Sequence, residues 1–272
     1  MRYYLFILLF NTLALSFSSA QTGLTVGPPR IYFVADAGQS QTQYVDVTNP
    51  SKDYPLDLAV SFEDWAYSVV GDNVLSPKGS LKTSCADWLT VSEPFFSLKP
   101  GETKRLQLQM SVPLDKSYSE VIPVHTTMLF VTQLNPRISE EKEGANIRLA
   151  VRSGIKVYQR FNGRSRTNLE ISNLEYRSVD SIGQYLELSF ETQGNTWTEG
   201  QLRTEFLNQD TGDRYKVDDV QFYSLPGDQR KQYILLPKEL TIGNYLATAM
   251  LFYGEDNDVK IAEIEFDYVS KI

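Results

Sequence analysis

Arg30 and Lys156 are the residues whose types best suit a chemistry of binding in this sequence. A cation turned into a cleft is costly unless an anion meets it. Two cations brought together from opposite ends of one domain would make an anchor the size of a carboxylate. Covalent and metal chemistry have weaker candidates. Cys85 is the only cysteine and His125 the only histidine. One thiol permits no intramolecular disulfide, no zinc finger and no thiol-redox pair, and Cys85 reads as a semi-buried small residue. Ser-His-Asp or Cys-His catalysis would rest on His125, and no nucleophile elbow surrounds it. Gly254-Glu255-Asp256-Asn257-Asp258 resembles part of a calcium loop, but it lacks the loop's central Gly and terminal Glu. A hairpin turn accounts for it better, and the same holds for Asp210 to Asp213. The 34 acidic residues could supply a glycosidase pair, yet nothing singles out two of them. The reading is of a non-enzyme that needs no metal and no cofactor.

The element that must position Lys156 is the stretch from Ala145 to Tyr158. Ile147, Leu149, Val151, Ile155 and Val157 alternate with Arg148, Arg152 and Lys156. Period-two alternation predicts a long strand with one apolar and one basic face. Arg148 and Arg152 are read as solvent-facing. Arg30 directly follows Gly27-Pro28-Pro29. Two prolines cannot sit inside a fully paired strand, so Arg30 is placed at an edge or a kink.

The rest of the chain reads as β throughout. Arg2, the apolar run Leu5 to Phe17 and Ser18-Ser19-Ala20 make a secretory signal peptide over residues 1–20. No later run is long and apolar enough for a membrane helix, so the expectation is a soluble exported protein. Residues 21–272 have a length that suggests two domains. Without Arg2 the balance is 25 basic against 34 acidic residues, or −9, which argues against a general nucleic-acid binder. Turn signals recur about every ten residues between alternating runs, which predicts β-sandwiches. Strands are expected at 24–35 (broken at the prolines), 43–48, 56–62, 106–112 and 124–133, with short apolar pieces at 88–91 and 95–98. Residues 66–86 read as a loop with a short strand or two, and 137–144 as an exposed loop. A linker is placed at 159–167. In the second half, strands are expected around 169–174, 186–190, 202–207, 233–236, 245–253 and 262–268. The fold class is all-β: two Ig-like sandwiches in tandem, over 21–161 and 162–272.

Several of these pieces, taken in order, resemble the N-terminal domain of PapD-like periplasmic pilus chaperones. They are Pro29-Arg30-Ile31-Tyr32-Phe33, Gly38, Val47-Thr48-Asn49, Phe95-Phe96-Ser97 before the turn Leu98-Lys99-Pro100-Gly101-Glu102, and Ile155-Lys156-Val157-Tyr158-Gln159-Arg160. The match covers roughly residues 24 to 161. The resemblance implies a chaperone that lends its last first-domain strand to a pilus or fimbrial subunit lacking one. It implies that Arg30 and Lys156 hold the subunit's C-terminal carboxylate, and that Ile147, Leu149 and Val151 fill the subunit's groove. It further implies a periplasmic location, an outer-membrane usher as second partner, and self-capping as a dimer. Family members tie their domains with ionic contacts. Arg160 matches the basic partner of such a contact, and His125 stands near where the acid is expected. The alternative reading is a structural or adhesive Ig-like exported protein whose long strand completes only its own sheet.

Overall fold

The structure is a computed structural model and describes residues 23–115, 122–136, 148–163, 165–179 and 183–269. The signal-peptide segment, Ile147 and the loop at 137–144 lie outside the described residues. The chain forms two β-sandwiches in tandem, as the periodicity predicts.

Among the described residues the first sandwich holds ten strands. They are β1 (Thr25–Gly27), β2 (Arg30–Val34), β3 (Ser40–Thr48), β4 (Leu56–Tyr67), β5 (Asn73–Ser76), β6 (Leu89–Val91), β7 (Phe95–Leu98), β8 (Thr103–Ser111), β9 (Val124–Gln133) and β10 (Arg152–Arg160). One sheet has the order β1-β3-β8-β6 and the other β2-β10-β9-β4-β5, with β7 also on β4. Between β1 and β2 the chain changes sheets. The change falls on Pro28-Pro29, which have no N–H to donate to either ladder. Inward residues such as Phe33, Val45, Val47, Leu106, Leu129 and Ile155 are fully buried between the sheets. Asn49 is buried with them and holds a distant turn in place. Its Nδ2 donates to the carbonyls of Leu98 and Lys99, and its own carbonyl accepts from Gly101 N. Gly101 sits at φ 73°, a conformation that suits only glycine without strain. The sequence pieces Val47-Thr48-Asn49 and Leu98-Lys99-Pro100-Gly101 are therefore two halves of one corner.

The second sandwich is built from β11 (Leu169–Val179), β12 (Gly183–Thr192), β13 (Thr198–Asn208), β14 (Arg214–Lys216), β15 (Val220–Ser224), β16 (Gln229–Leu235), β17 (Gly243–Tyr253) and β18 (Asp258–Tyr268). Its sheets run β11-β12-β16 and β14-β13-β17-β18, with β15 also on β13. Leu188, Phe190, Phe206, Phe222, Tyr245 and Leu251 fill its core. Gly254 to Asn257 form the turn of the β17–β18 hairpin, with Tyr253 facing Asp258. Strands β14 and β15 were not expected from the sequence. They are short and mostly polar, so their place in the sheet comes from pairing with β13 rather than from their own periodicity.

A third apolar layer joins the sandwiches. β9 lies inside its sheet and is buried on both faces. Leu129 and Val131 point into the first core, while Met128 and Phe130 join Trp65 and Tyr158 in a separate cluster. Trp197 and Leu225 from the second sandwich, with Tyr32 and Tyr67, cover that cluster. A backbone hydrogen bond of 2.7 Å from Lys231 N to Val69 O ties the tip of the β4–β5 hairpin to β16. The residues read as a loop at 66–86 thus include the end of β4, all of β5 and a docking turn.

Two sequence expectations are corrected in this frame. Cys85 is fully buried rather than semi-buried, and burial pushes its thiol pKa well up. In the described part of the alternating stretch, 148–158, the strand is shorter than expected. The strand begins at Arg152; Arg148 is a single bridge residue and residues 149–151 lie outside any strand. The reason is loss of a partner. Gln133 N still reaches Val151 O, but Leu134 N turns away to Asp57 O, so β9 offers nothing further upstream.

His125 is buried on β9, and its Nδ1 lies 3.1 Å from Gln159 Oε1 on β10. Burial lowers its pKa to about 4, against an ordinary value of 6.5. The unfolded chain therefore takes up a proton between pH 6.5 and 4 before the folded chain does. Stability should fall over that window by on the order of 2 kcal/mol as pH drops. Urea unfolding at several pH values should show this loss, and His125→Gln should flatten it. An equally steep loss in the variant would assign the effect to other groups.

Candidate functional site

The site is organised by the pairing of β2 with β10. The two strands run parallel, and their ladder begins with Lys156 opposite Arg30. It continues through Val157–Ile31 to Arg160–Val34. Lys156 N donates to Pro29 O at 3.2 Å, the last contact at that end. Beyond it β2 stops, because the prolines divert the chain to the other sheet. Among the described residues, Arg152 to Ile155 pair with β9 alone. Among the described residues one edge of β10 is therefore open over that half, and the opening ends at the two cations.

The faces of β10 differ. Ile155 and Val157 are fully buried in the first core. Arg152, Gly154, Lys156 and Tyr158 face the aromatic layer between the sandwiches. The Arg152 guanidinium lies 3.5 Å over the Phe130 ring and donates to Glu63 Oε1 at 2.5 Å. Arg152 is exposed, as a solvent-facing position should be, and is also held by a ring and a carboxylate. Gly154 has no side chain on this face because Met128 Sδ and Phe130 Cε1 would stand 2.9 Å from any Cβ. Upstream, Leu149 is 73 % exposed and Val151 half-buried, while Arg148 is exposed.

Each cation of the pair is set among aromatic rings. Lys156 Nζ donates to Tyr67 Oη at 3.1 Å and lies 4.4 Å and 4.6 Å from the ring centroids of Tyr67 and Trp65. The Arg30 guanidinium lies 3.7 Å over the ring of Tyr223 in β15. Ring faces carry negative potential, so they offset part of the cost of taking cations out of water. They do not cancel the charge. No carboxylate lies within 4.0 Å of either cation among the described residues. Burial, then Arg30, then Arg230 of β16 lower the Lys156 pKa to about 8. The arrangement is a half-buried cationic spot at the end of an open strand edge. An anion with two acceptor oxygens suits it chemically.

Sequence reading named Arg30 and Lys156, and the structure makes them cross-strand neighbours. It missed Trp65, Tyr67, Tyr223 and Arg230. Those four come from three other strands and carry no short-range signal that relates them to Lys156. Arg160 ends β10 with its guanidinium 5.7 Å from the centroid of Trp197, so it meets the second sandwich through a ring rather than an acid. Its cross-strand partner on β9 is Val124, and His125 lies opposite Gln159. A polar link between the sandwiches comes instead from Tyr32 Oη to Glu199 Oε1, at 2.5 Å.

The depressed Lys156 pKa can be measured. Titration of Lys156 by NMR with carbon-labelled lysine should give a midpoint near 8. Arg30→Met should raise that midpoint by removing one neighbouring charge. A midpoint at the ordinary 10.5 in the unaltered protein would contradict the described burial.

No protein-family model matches this sequence, and no curated protein matches it. Solved structures do. The CsuC–CsuE chaperone–tip subunit pre-assembly complex of Acinetobacter baumannii is similar at 14 % identity and TM-score 0.47, covering 89 % of this chain and 97 % of that one. The Escherichia coli chaperone DraB is similar at 15 % identity and TM-score 0.44, covering 91 % of this chain and 98 % of that one. The SafB chaperone bound to the SafA pilin of Salmonella enterica is similar at 15 % identity and TM-score 0.44, covering 92 % of this chain and 99 % of that one.

Proposed function

We propose that this protein is a periplasmic chaperone that lends the open edge of its last first-domain strand to a pilus or fimbrial subunit. The carrying observation is the half-open β10, whose free edge ends at Arg30 and Lys156. An unpaired edge is a template for strand addition. A subunit strand added there would take up the line of β2. For its terminal carboxylate to meet the cations it must run parallel to β10. Arg30 and Lys156 then fix where it stops. Leu149 and Val151, with Ile147 upstream, supply apolar side chains to a groove left by a missing strand. Main-chain hydrogen bonds give affinity, and the alternate side chains give register. The division of labour follows domains 21–161 and 162–272. The first carries the lent strand and the second closes the cleft over the cations. The resemblance to pilus chaperones in the ordered sequence pieces supports the same reading. It extends to residues 1–20 as an export signal, an outer-membrane usher as receiver of the subunit, and self-capping of the strand by a second copy.

The reading predicts specific losses. Lys156→Ala or Arg30→Ala should weaken capture of a co-expressed subunit about ten- to hundred-fold, the worth of one charged hydrogen bond. Thermal unfolding should show both variants folded. Leu149→Glu should block capture without a folding penalty, because Leu149 is already exposed. Pull-down of the tagged protein with mass spectrometry reads all three. Capture at the unaltered level by any of them would remove the corresponding role. Recovery of the unaltered protein with no subunit bound would favour a structural role for the strand.

The same reading predicts a pH dependence. A bound carboxylate favours the charged amine, so the Lys156 pKa is higher in the complex than the free value of about 8. Affinity should be level below pH 8 and fall as pH rises above it, by up to tenfold per unit. Lys156→Arg should remove the fall, since a guanidinium stays charged. Binding that is flat from pH 7 to 10 would show that the amine does not contact the anion.

A further inference from the structure

The pair at the end of the open edge has a third cationic neighbour, supplied by the other sandwich. Arg230 is the second residue of β16 and is 4 % exposed. Its Nη1 donates to the carbonyl of Tyr223 at 2.5 Å. Tyr223 is the residue whose ring lies under Arg30. Its guanidinium also lies 5.0 Å from the ring centroid of Tyr67, whose hydroxyl accepts from Lys156. Two tyrosines thus connect three cations. Space for the third is made by Gly71 at the tip of the β4–β5 hairpin. A Cβ there would stand 2.1 Å from Arg230 Nη2.

The charge at this point is not balanced by contact. Asp228 and Asp72 are the carboxylates that act on Arg230, yet neither comes within 4.0 Å of it as an ion pair. Asp228 is engaged with Leu225 N at 2.8 Å and Ser224 Oγ at 3.5 Å. Arg30 Nε and Arg230 Nε are both buried without a hydrogen-bond acceptor among the described residues. Buried donors without acceptors and buried cations without anions are each unfavourable. Two orphaned donors, one from each sandwich, share this cost around the same tyrosines.

We infer that Arg230 is a third member of the anchor, so that the bound carboxylate is held by both sandwiches at once. This rests on the reading of Arg30 and Lys156 as the site of a subunit's C-terminus. A carboxylate presents about four lone-pair directions, enough for three donors. Binding of the anion then also strengthens the contact between the sandwiches, because β2, β10 and β16 share one ligand. The lowered basicity of Lys156, to which Arg230 contributes, is consistent with their closeness.

The test uses the full chain and a synthetic peptide of alternating apolar residues ending in a free carboxylate. Its twin ends in an amide. Calorimetry or fluorescence anisotropy measures both affinities for the unaltered protein, Arg230→Gln, Arg230→Lys and Lys156→Met. Arg230→Gln should bind the carboxylate peptide about ten-fold more weakly and lose most of its preference over the amide. Arg230→Lys should recover part of that preference. If Arg230→Gln weakens both peptides equally, Arg230 only packs the interface, and the inference fails. If it binds both as the unaltered protein does, while Lys156→Met loses the carboxylate preference, the inference fails and the two-cation anchor stands. If Lys156→Met also keeps the full preference, or the unaltered protein has none, the anchor reading itself fails and takes this inference with it. Thermal unfolding of each variant identifies any that does not fold, and Arg230→Lys then carries the comparison.

Discussion

The parallel ladder between β2 and β10 is short, and its shortness is the constraint on which the site depends. Pro28 and Pro29 have no N–H groups and send the preceding residues to the opposite sheet. The ladder can therefore begin no earlier than Arg30. That one limit has two results. It leaves half of β10 with an edge that no described residue pairs, and it places a cation from each strand at the point where the opening ends. Moving the start of β2 upstream by a few residues would close the edge and bury the pair inside an ordinary sheet. A feature that looks like a local disruption is what separates an open edge from a completed sandwich.

The electrostatic setting follows from what covers the cations. Surface cations are solvated and cost little. Here Trp65, Tyr67 and Tyr223 take the place of water, and no acidic side chain pairs with Arg30 or Lys156 among the described residues. Rings offer an attraction that is weaker and less directional than a carboxylate's. They hold the cations in position and leave their hydrogen-bonding capacity largely available. A salt bridge in the same place would have stabilised the cations but used that capacity.

Much of this was legible in the sequence, and the gaps have physical causes. Alternation reports which side chains face a core, so β3, β8, β9 and most of the second sandwich could be placed from it. It does not report whether a backbone has a neighbour. For that reason the stretch 145–158 reads as one long strand, although among the described residues the continuous ladder begins only at Arg152. Pro28-Pro29 and the position of Lys156 could be read directly, because proline chemistry and strand order act locally. Tyr67, Tyr223 and Arg230 could not be related to Lys156 in this way. They reach it from strands far away in the chain, and their own surroundings in sequence are unremarkable. Arg160 shows the intermediate case. Its contact with the second sandwich was anticipated, but an acid was expected where the structure has the ring of Trp197.

The double burial of β9 has a consequence for how the chain comes to be folded. Met128, Phe130, Trp65 and Tyr158 belong to the first sandwich, yet Trp197 and Leu225, which help cover them, come later in the chain. Wherever the first half closes its own core before the second arrives, a sheet face rich in aromatic groups stays wet. It stays so until some tens of further residues have arrived. The chain is thus for a time an unfinished body with a sticky side, in need of a segment it does not yet have. Within one polypeptide that want is met by waiting.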